Sequence, residues 1–261
     1  MFANNPFAAL SGVLPANAMQ IYLVLMVLAV FAGTLYDVMH KGSAQYFFEN
    51  WRKSKNNGAS PVSGGEMVAL AVKTGVVDVL ASGEFCNPRR RAAHLLTMYG
   101  FVIYVAATAV MVFGYPTPAT PTPRIVPLLW WIGGFMICLG GYWFWFFIRV
   151  DVAAEGNSPL RLMRADLFVL SLLGSVTLGL IWATLQSRSS AGATVLFGLY
   201  IMATTVLFGS VAWSKFAHMF FKPAAAFEKR VSDANGTRSN LPGPADKPEL
   251  YGSARQQPRH Y

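Results

Sequence analysis

The chain has 261 residues, of which 54% are hydrophobic and only 13% charged, with a formal net charge of +9. Soluble domains carry about 25% charged residues, so this composition excludes an ordinary soluble domain and points to spanning helices. Basic residues collect in the cytoplasmic loops of membrane proteins, so the positive balance reads as topology, and no nucleic-acid partner is expected.

In chain order, residues 1–18 lack the basic start of a secretory signal and form an N-terminal segment. The apolar run from about Met19 to Met39 has the roughly 20 residues that a spanning helix needs. The segment 41–93 is no plain loop. It holds "EMVALAVKTGVVDVL", in which Met67, Leu70, Val72, Val76 and Leu80 alternate with Glu66, Lys73 and Asp78. Too short and too charged to span, this stretch predicts an amphipathic helix on the cytoplasmic membrane surface, interrupted at Gly75.

A second span is expected from Leu95 to Tyr115, stopped by the proline-rich "PTPATPTP". A third follows over Ile125 to Ile148, a fourth over Leu167 to Gln186, and a fifth from Ala193 past Trp213, closing on His218. Residues 224–261, rich in Pro, Gly, Ser and charge, read as a flexible cytoplasmic tail that orders on a partner.

Orientation follows from the basic residues. The first connection carries Lys41, Arg52, Lys53, Lys55, Lys73 and Arg89 to Arg91, and the third adds Arg149, Arg161 and Arg164. The opposite face shows only Arg124 and Arg188. The N-terminus is therefore expected in the periplasm and the C-terminus in the cytoplasm. The predicted fold class is an all-α membrane protein of the bacterial inner membrane. Five transmembrane helices make a domain over 19–223, with the amphipathic surface helix on its cytoplasmic side. No charge sits at mid-membrane and no span is broken at its centre, which argues against a transporter or channel. Two isolated cysteines, Cys86 and Cys138, supply neither a disulfide framework nor a thiolate metal site.

Three of the four histidines, His40, His94 and His218, fall on the expected cytoplasmic boundary. A low-spin b haem needs two axial imidazoles on different helices at one depth, and its propionates need cations at the membrane edge. Arg89, Arg90, Arg91 and Lys215 lie beside these histidines, and Gly100 and Gly209 would leave room for a flat ring. The same three positions also suit wet interfacial histidines, and spacing leaves open which two would pair.

The segments "NPRRRAAHLLTMYGF" (87–101) and "WSKFAHMFFKP" (213–223) resemble the ligand-bearing segments of the nitrate reductase gamma-subunit type of cytochrome b. The resemblance covers most of residues 20–223. It extends to the membrane subunits of quinone-interacting (Qmo) and heterodisulfide-reductase complexes, and most of all to the adenylylsulfate (APS) reductase membrane anchors. It implies His94 and His218 as axial ligands of the haem iron, with Arg89, Arg90, Arg91 and Lys215 on the propionate side. Two-haem members place further histidines near Tyr104 and Tyr200, so the resemblance implies one haem b and no outer haem. It further implies electron exchange between a cytoplasmic iron–sulfur flavoprotein, APS reductase or similar, and membrane quinone as substrate. The chain has no iron–sulfur or dinucleotide motif of its own and is expected to be one subunit of an oxidoreductase complex. Asp37 and His40 are the candidate quinone-site residues, with Lys73 or Glu84 contributing from the surface helix. Arg52, Lys53, the arginine cluster and the tail would dock the partner. A haem-free membrane tether for a soluble reductase, or the cytochrome b subunit of another Qmo- or heterodisulfide-reductase-like complex, is the alternative.

Overall fold

The computed structural model describes residues 2–40, 47–49, 51–52, 60–83, 85, 87–149, 162–163, 166–188, 192–213 and 218–237, without the side chains of 218–221. Among them the helices are α1 (Pro6–Leu10), α2 (Ala16–His40), α3 (Gly64–Lys73), α4 (Pro88–Ala109), α5 (Ile125–Trp143), α6 (Leu167–Gln186), α7 (Ala193–Gly209) and α8 (His218–Ala234). No strand occurs among the described residues. Three helices end in wider π winding: α3 through Thr74–Leu80, α4 through Val110–Gly114 and α5 through Phe144–Ile148.

Four of these elements are long and apolar enough to cross a membrane: Ala16–His40, Pro88–Gly114, Ile125–Ile148 and Leu167–Gln186. The chain is a multi-pass helical membrane protein.

The fifth apolar run departs from expectation. α7 has 17 residues and stops at Gly209, Ser210–Trp213 follow in turns, and His218 opens α8 rather than closing α7. Gly209 and Ser210 form a helix-stop pair that the hydropathy of the run conceals. α4 in turn starts earlier than expected. The Asn87 side chain accepts from the Arg89 and Arg90 amides and Pro88 takes the first helical position, so the helix begins before Leu95. α8 runs through Ala234, so the first part of the expected flexible tail is helical.

The chain forms two compact units. The first comprises Met1–Ser43 with Ala81–Met219, and the second Ala44–Leu80 with Phe220–Tyr261.

In the first unit α4 packs along α5, α6 along both α5 and α7, and α2 against α7. The α4–α5 crossing is made by small residues. A Cβ added at Gly140 would stand 2.7 Å from the Ala93 carbonyl oxygen, and one at Gly100 would stand 2.8 Å from that of Gly133. Such close approach maximises dispersion contact, the main attraction between helices in lipid. Arg149 closes the far end of α5 by pairing with Asp166 (Nε to Oδ1, 3.0 Å), with its guanidinium 4.2 Å above the Trp145 ring. α2 exposes Ile21, Val27, Leu28 and Phe31 along one side and buries Met19 and Asp37 on the other, as a helix with a lipid-facing side does.

The N-terminal segment is structured. Phe7 of α1 lies against Trp130 of α5 (ring centroids 6.1 Å) and Trp182 of α6 (5.2 Å), both fully buried. Asn5 caps α1, and its Nδ2 donates to the Tyr115 carbonyl (2.9 Å) and to Thr122 Oγ1 (3.1 Å). The opening residues are thereby stitched to the end of α4 and to the proline-rich connection.

In the second unit Arg230 of α8 forms a bidentate ion pair with Asp78 (2.7 and 2.8 Å). Phe227 stacks on Trp51 with centroids 5.7 Å apart, and the Ser60 amide donates to the Asn235 carbonyl (3.3 Å). Gly75 does not interrupt the surface helix. Thr74 Oγ1 donates back to the Leu70 carbonyl (2.8 Å), and the helix continues in π winding from there. Val68, Val72, Val76 and Leu80 stand exposed at four-residue intervals. Four residues overshoot one α-turn and undershoot one π-turn, so the change of winding keeps this apolar stripe straight.

Candidate functional site

The best-defined of the expected site residues is His94, in the second turn of α4 and half-buried. Its Nδ1 lies 3.0 Å from Ser82 Oγ, and its ring centroid is 4.8 Å from that of Phe85, tilted by 40°. Ser82 is only 2% exposed and has a left-handed backbone, φ 50°. Arg91 secures the same loop, its Nε donating to the Ala81 carbonyl (2.7 Å). Arg89 is exposed and Arg90 half-buried. Three arginines at the positive end of a helix oppose its dipole, so they do not serve α4's own stability. Arg91's bond to the loop is a role that the sequence did not indicate.

Asp37 is buried within α2, 4% exposed. His40 is exposed at the end of the same helix and stacks on Tyr36, with centroids 5.2 Å apart and planes 10° apart. Lys73 closes α3 and is exposed, as is Arg52. His218 is the first residue of α8, and its side chain lies outside the described residues. Lys215, Lys53 and Glu84 also lie outside them, as does the chain after Thr237. The aromatic run 142–147 divides between the two environments: Trp145 is buried, Phe146 and Phe147 are exposed, and Tyr142 shares a hydrogen bond with Thr177 (2.8 Å).

A cavity of about 70 Å³ lies where α4 and α7 face each other, walled also by α2 and α6. Met26, Phe101, Val105, Leu172, Leu207 and Phe208 contribute apolar lining. Ser175 shares a hydrogen bond with Thr204 (2.7 Å) and Tyr22 donates to the Ile201 carbonyl (3.1 Å), whereas the buried Tyr104 hydroxyl has no hydrogen-bond partner among the described residues. Gly100 leaves no room here, contrary to expectation, because it is spent on the contact with Gly133 of α5. Gly209 does face open space. Tyr104 and Tyr200 are both buried. Tyr104 stacks on Trp130 (4.8 Å) and Tyr200 on Trp182 (5.7 Å), so aromatic rings fill this level of the bundle.

The chain is similar to citrate utilization protein B of Escherichia coli. The two are 24% identical over 206 residues, which cover 74% of this chain and 53% of that protein. The chain thus spans about half the length of the curated relative it matches. No family model matches it, and no solved structure does.

Among the described residues no group of three or more His, Cys, Asp and Glu side chains is placed to hold a metal ion. A hydroxyl beside Nδ1 fixes the position and plane of the ring, as the outer partners of metal-ligating imidazoles do. A group that takes one imidazole from each of two helices, as a b haem does, suits His94. Ser82 was missed by sequence reasoning. A Ser-Gly pair before a helix reads as an ordinary turn, and the left-handed residue would be expected at Gly83.

Proposed function

We propose that this chain is the membrane subunit of an oxidoreductase complex, passing electrons between a cytoplasmic iron–sulfur flavoenzyme and the quinone pool through one haem b. The carrying observation is the half-buried His94 with Nδ1 3.0 Å from Ser82 Oγ, an imidazole anchored by a second side chain in the segment that resembles the cytochrome b ligand motif. His94 and His218 would hold the iron, and Arg89 and Arg90 would neutralise the propionates. Bound there, the haem supplies one-electron transfer. In this reading α7 is a fifth, short span, the N-terminus is periplasmic, and α8 lies in the cytoplasm of a bacterial inner membrane. The apolar stripe of α3 rests on the lipid surface. Adenylylsulfate reductase is the proposed soluble partner, and Asp37 with His40 the proposed quinone-side pair.

The test is a reduced-minus-oxidised optical spectrum of the purified chain. A sharp haem b band is expected, lost in His94→Ala and in His218→Ala and retained in His40→Ala. A flat spectrum from folded, haem-supplied protein would reduce the chain to a tether. Loss of the band in His40→Ala would mean that the ligand pair is wrong.

The likeness to citrate utilization protein B favours a second reading of the partner, in which the same haem subunit serves carboxylate utilization rather than sulfur metabolism. Co-purification separates the two: adenylylsulfate reductase supports the first, a carboxylate-oxidising flavoprotein the second.

A further inference from the structure

We infer that Ser82 is a positioning residue for His94, fixing the position and plane of its imidazole at the expense of local backbone strain. This inference rests on His94 being a haem ligand and assigns a role to a residue outside the ligand set.

Among the described residues Ser82 is the one non-glycine with positive φ, at 50°. That conformation is unfavourable for an L-residue, and glycine would relieve it. Yet glycine stands one position later, at Gly83. Ser82 is buried at 2% exposure, so its hydroxyl needs a partner, and His94 Nδ1 at 3.0 Å is that partner. Two further contacts hold the loop in place. The Arg91 guanidinium donates to the Ala81 carbonyl at 2.7 Å, and Phe85 covers one face of the imidazole. A strained residue kept by its surroundings and aimed at a chemically capable side chain is the pattern found at functional sites. If Nε2 held the iron, Nδ1 would carry the proton and Ser82 Oγ would accept its hydrogen bond. That bond fixes the rotation of the ring and enriches the electron density that the imidazole offers the metal.

The experiment compares wild-type holoprotein with Ser82→Ala, Ser82→Gly and Ser82→Asn. Ser82→Gly removes the hydroxyl while relaxing the backbone, so it folds at least as well as wild type. Ser82→Asn keeps a hydrogen-bonding group on a residue that tolerates left-handed backbone. Ser82→Ala and Ser82→Gly are expected to shift the haem midpoint potential upward, to alter the low-spin electron paramagnetic resonance signature, and to lose haem to a competing apoprotein about 10-fold faster. Ser82→Asn is expected to recover most of each change. In the haem-free chain, nitrogen NMR of labelled histidine should show the Nδ1 signal of one ring change in Ser82→Gly. Wild-type potential and haem retention in both the Ala and Gly variants would overturn the inference while leaving the haem itself in place. A wild-type chain that takes up no haem would instead overturn the reading on which it rests.

Discussion

Gly100 of α4 and Gly133 of α5 meet backbone to backbone. A Cβ on Gly133 would stand 2.8 Å both from the Gly100 carbonyl oxygen and from the Tyr104 amide nitrogen. The partners are main-chain atoms of a helix and cannot swing aside, so the two helices must separate before any side chain enters. The crossing places His94 and Tyr104 on α4, and Trp130 on α5, at fixed depths relative to one another.

Gly133→Ala is therefore expected to destabilise the bundle by about 1–3 kcal/mol, as over-packing does. Thermal unfolding in mild detergent reads the effect. Gly198→Ala is the internal control, because nothing lies within 4 Å of the Cβ it would add. Helix propensity alone should make that variant neutral or slightly stabilised. Equal melting temperatures for the two variants would mean that the crossing is loose.

Asn5 is 7% exposed and serves two ends at once. Its side-chain oxygen caps α1 through the Phe7 and Ala8 amides (3.0 and 3.1 Å), while its amide group reaches the Tyr115 carbonyl and Thr122. Asn5→Ala loses a helix cap and leaves buried polar atoms without a bond. Destabilisation of about 2–3 kcal/mol is expected. Protease sensitivity should appear first at the 116–123 connection, and a variant cleaved no faster than wild type would contradict this role.

Asp78 and Arg230 tie α8 to the π-wound end of α3, with side chains 10% and 23% exposed. Their bidentate, largely desolvated geometry makes either single truncation more damaging than the pair itself is stabilising. Asp78→Ala and Arg230→Ala should each raise amide hydrogen exchange across 218–234. A double mutant should be less damaged than the sum of the two, with a coupling of about 1–3 kcal/mol. Additive effects would show that the pair carries no coupling. The exchanged orientation, Asp78→Arg with Arg230→Asp, should recover part of the protection.

Much of the fold was legible because it is written in short-range terms. Three of the four long apolar runs appear as helices within three residues of their expected bounds, and the prolines at 116–123 end α4 as expected. The departures share a cause. Gly209–Ser210 stops α7 by turn chemistry within a run whose hydropathy continues. Asn87 and Pro88 start α4 by capping, before its apolar character begins. Gly75 was read as an interruption, but Thr74 and π winding carry the helix across it. For the site, His94 stood out by residue type and neighbours, whereas its partner Ser82 did not.

What the sequence settled alone is therefore what adjacent residues decide together: that the chain is helical, that it carries apolar runs long enough for a bilayer, and where its histidines and arginines concentrate. The tertiary structure decided which atoms meet. Ser82 reaches His94 across 12 positions, Asn5 reaches Tyr115 across 110, and Asp78 reaches Arg230 across 152. Hydrophobic transfer and backbone hydrogen bonding act residue by residue and leave a readable pattern along the chain. A hydroxyl beneath an imidazole, or one glycine against another, depends on how separate segments pack, and no local pattern encodes it.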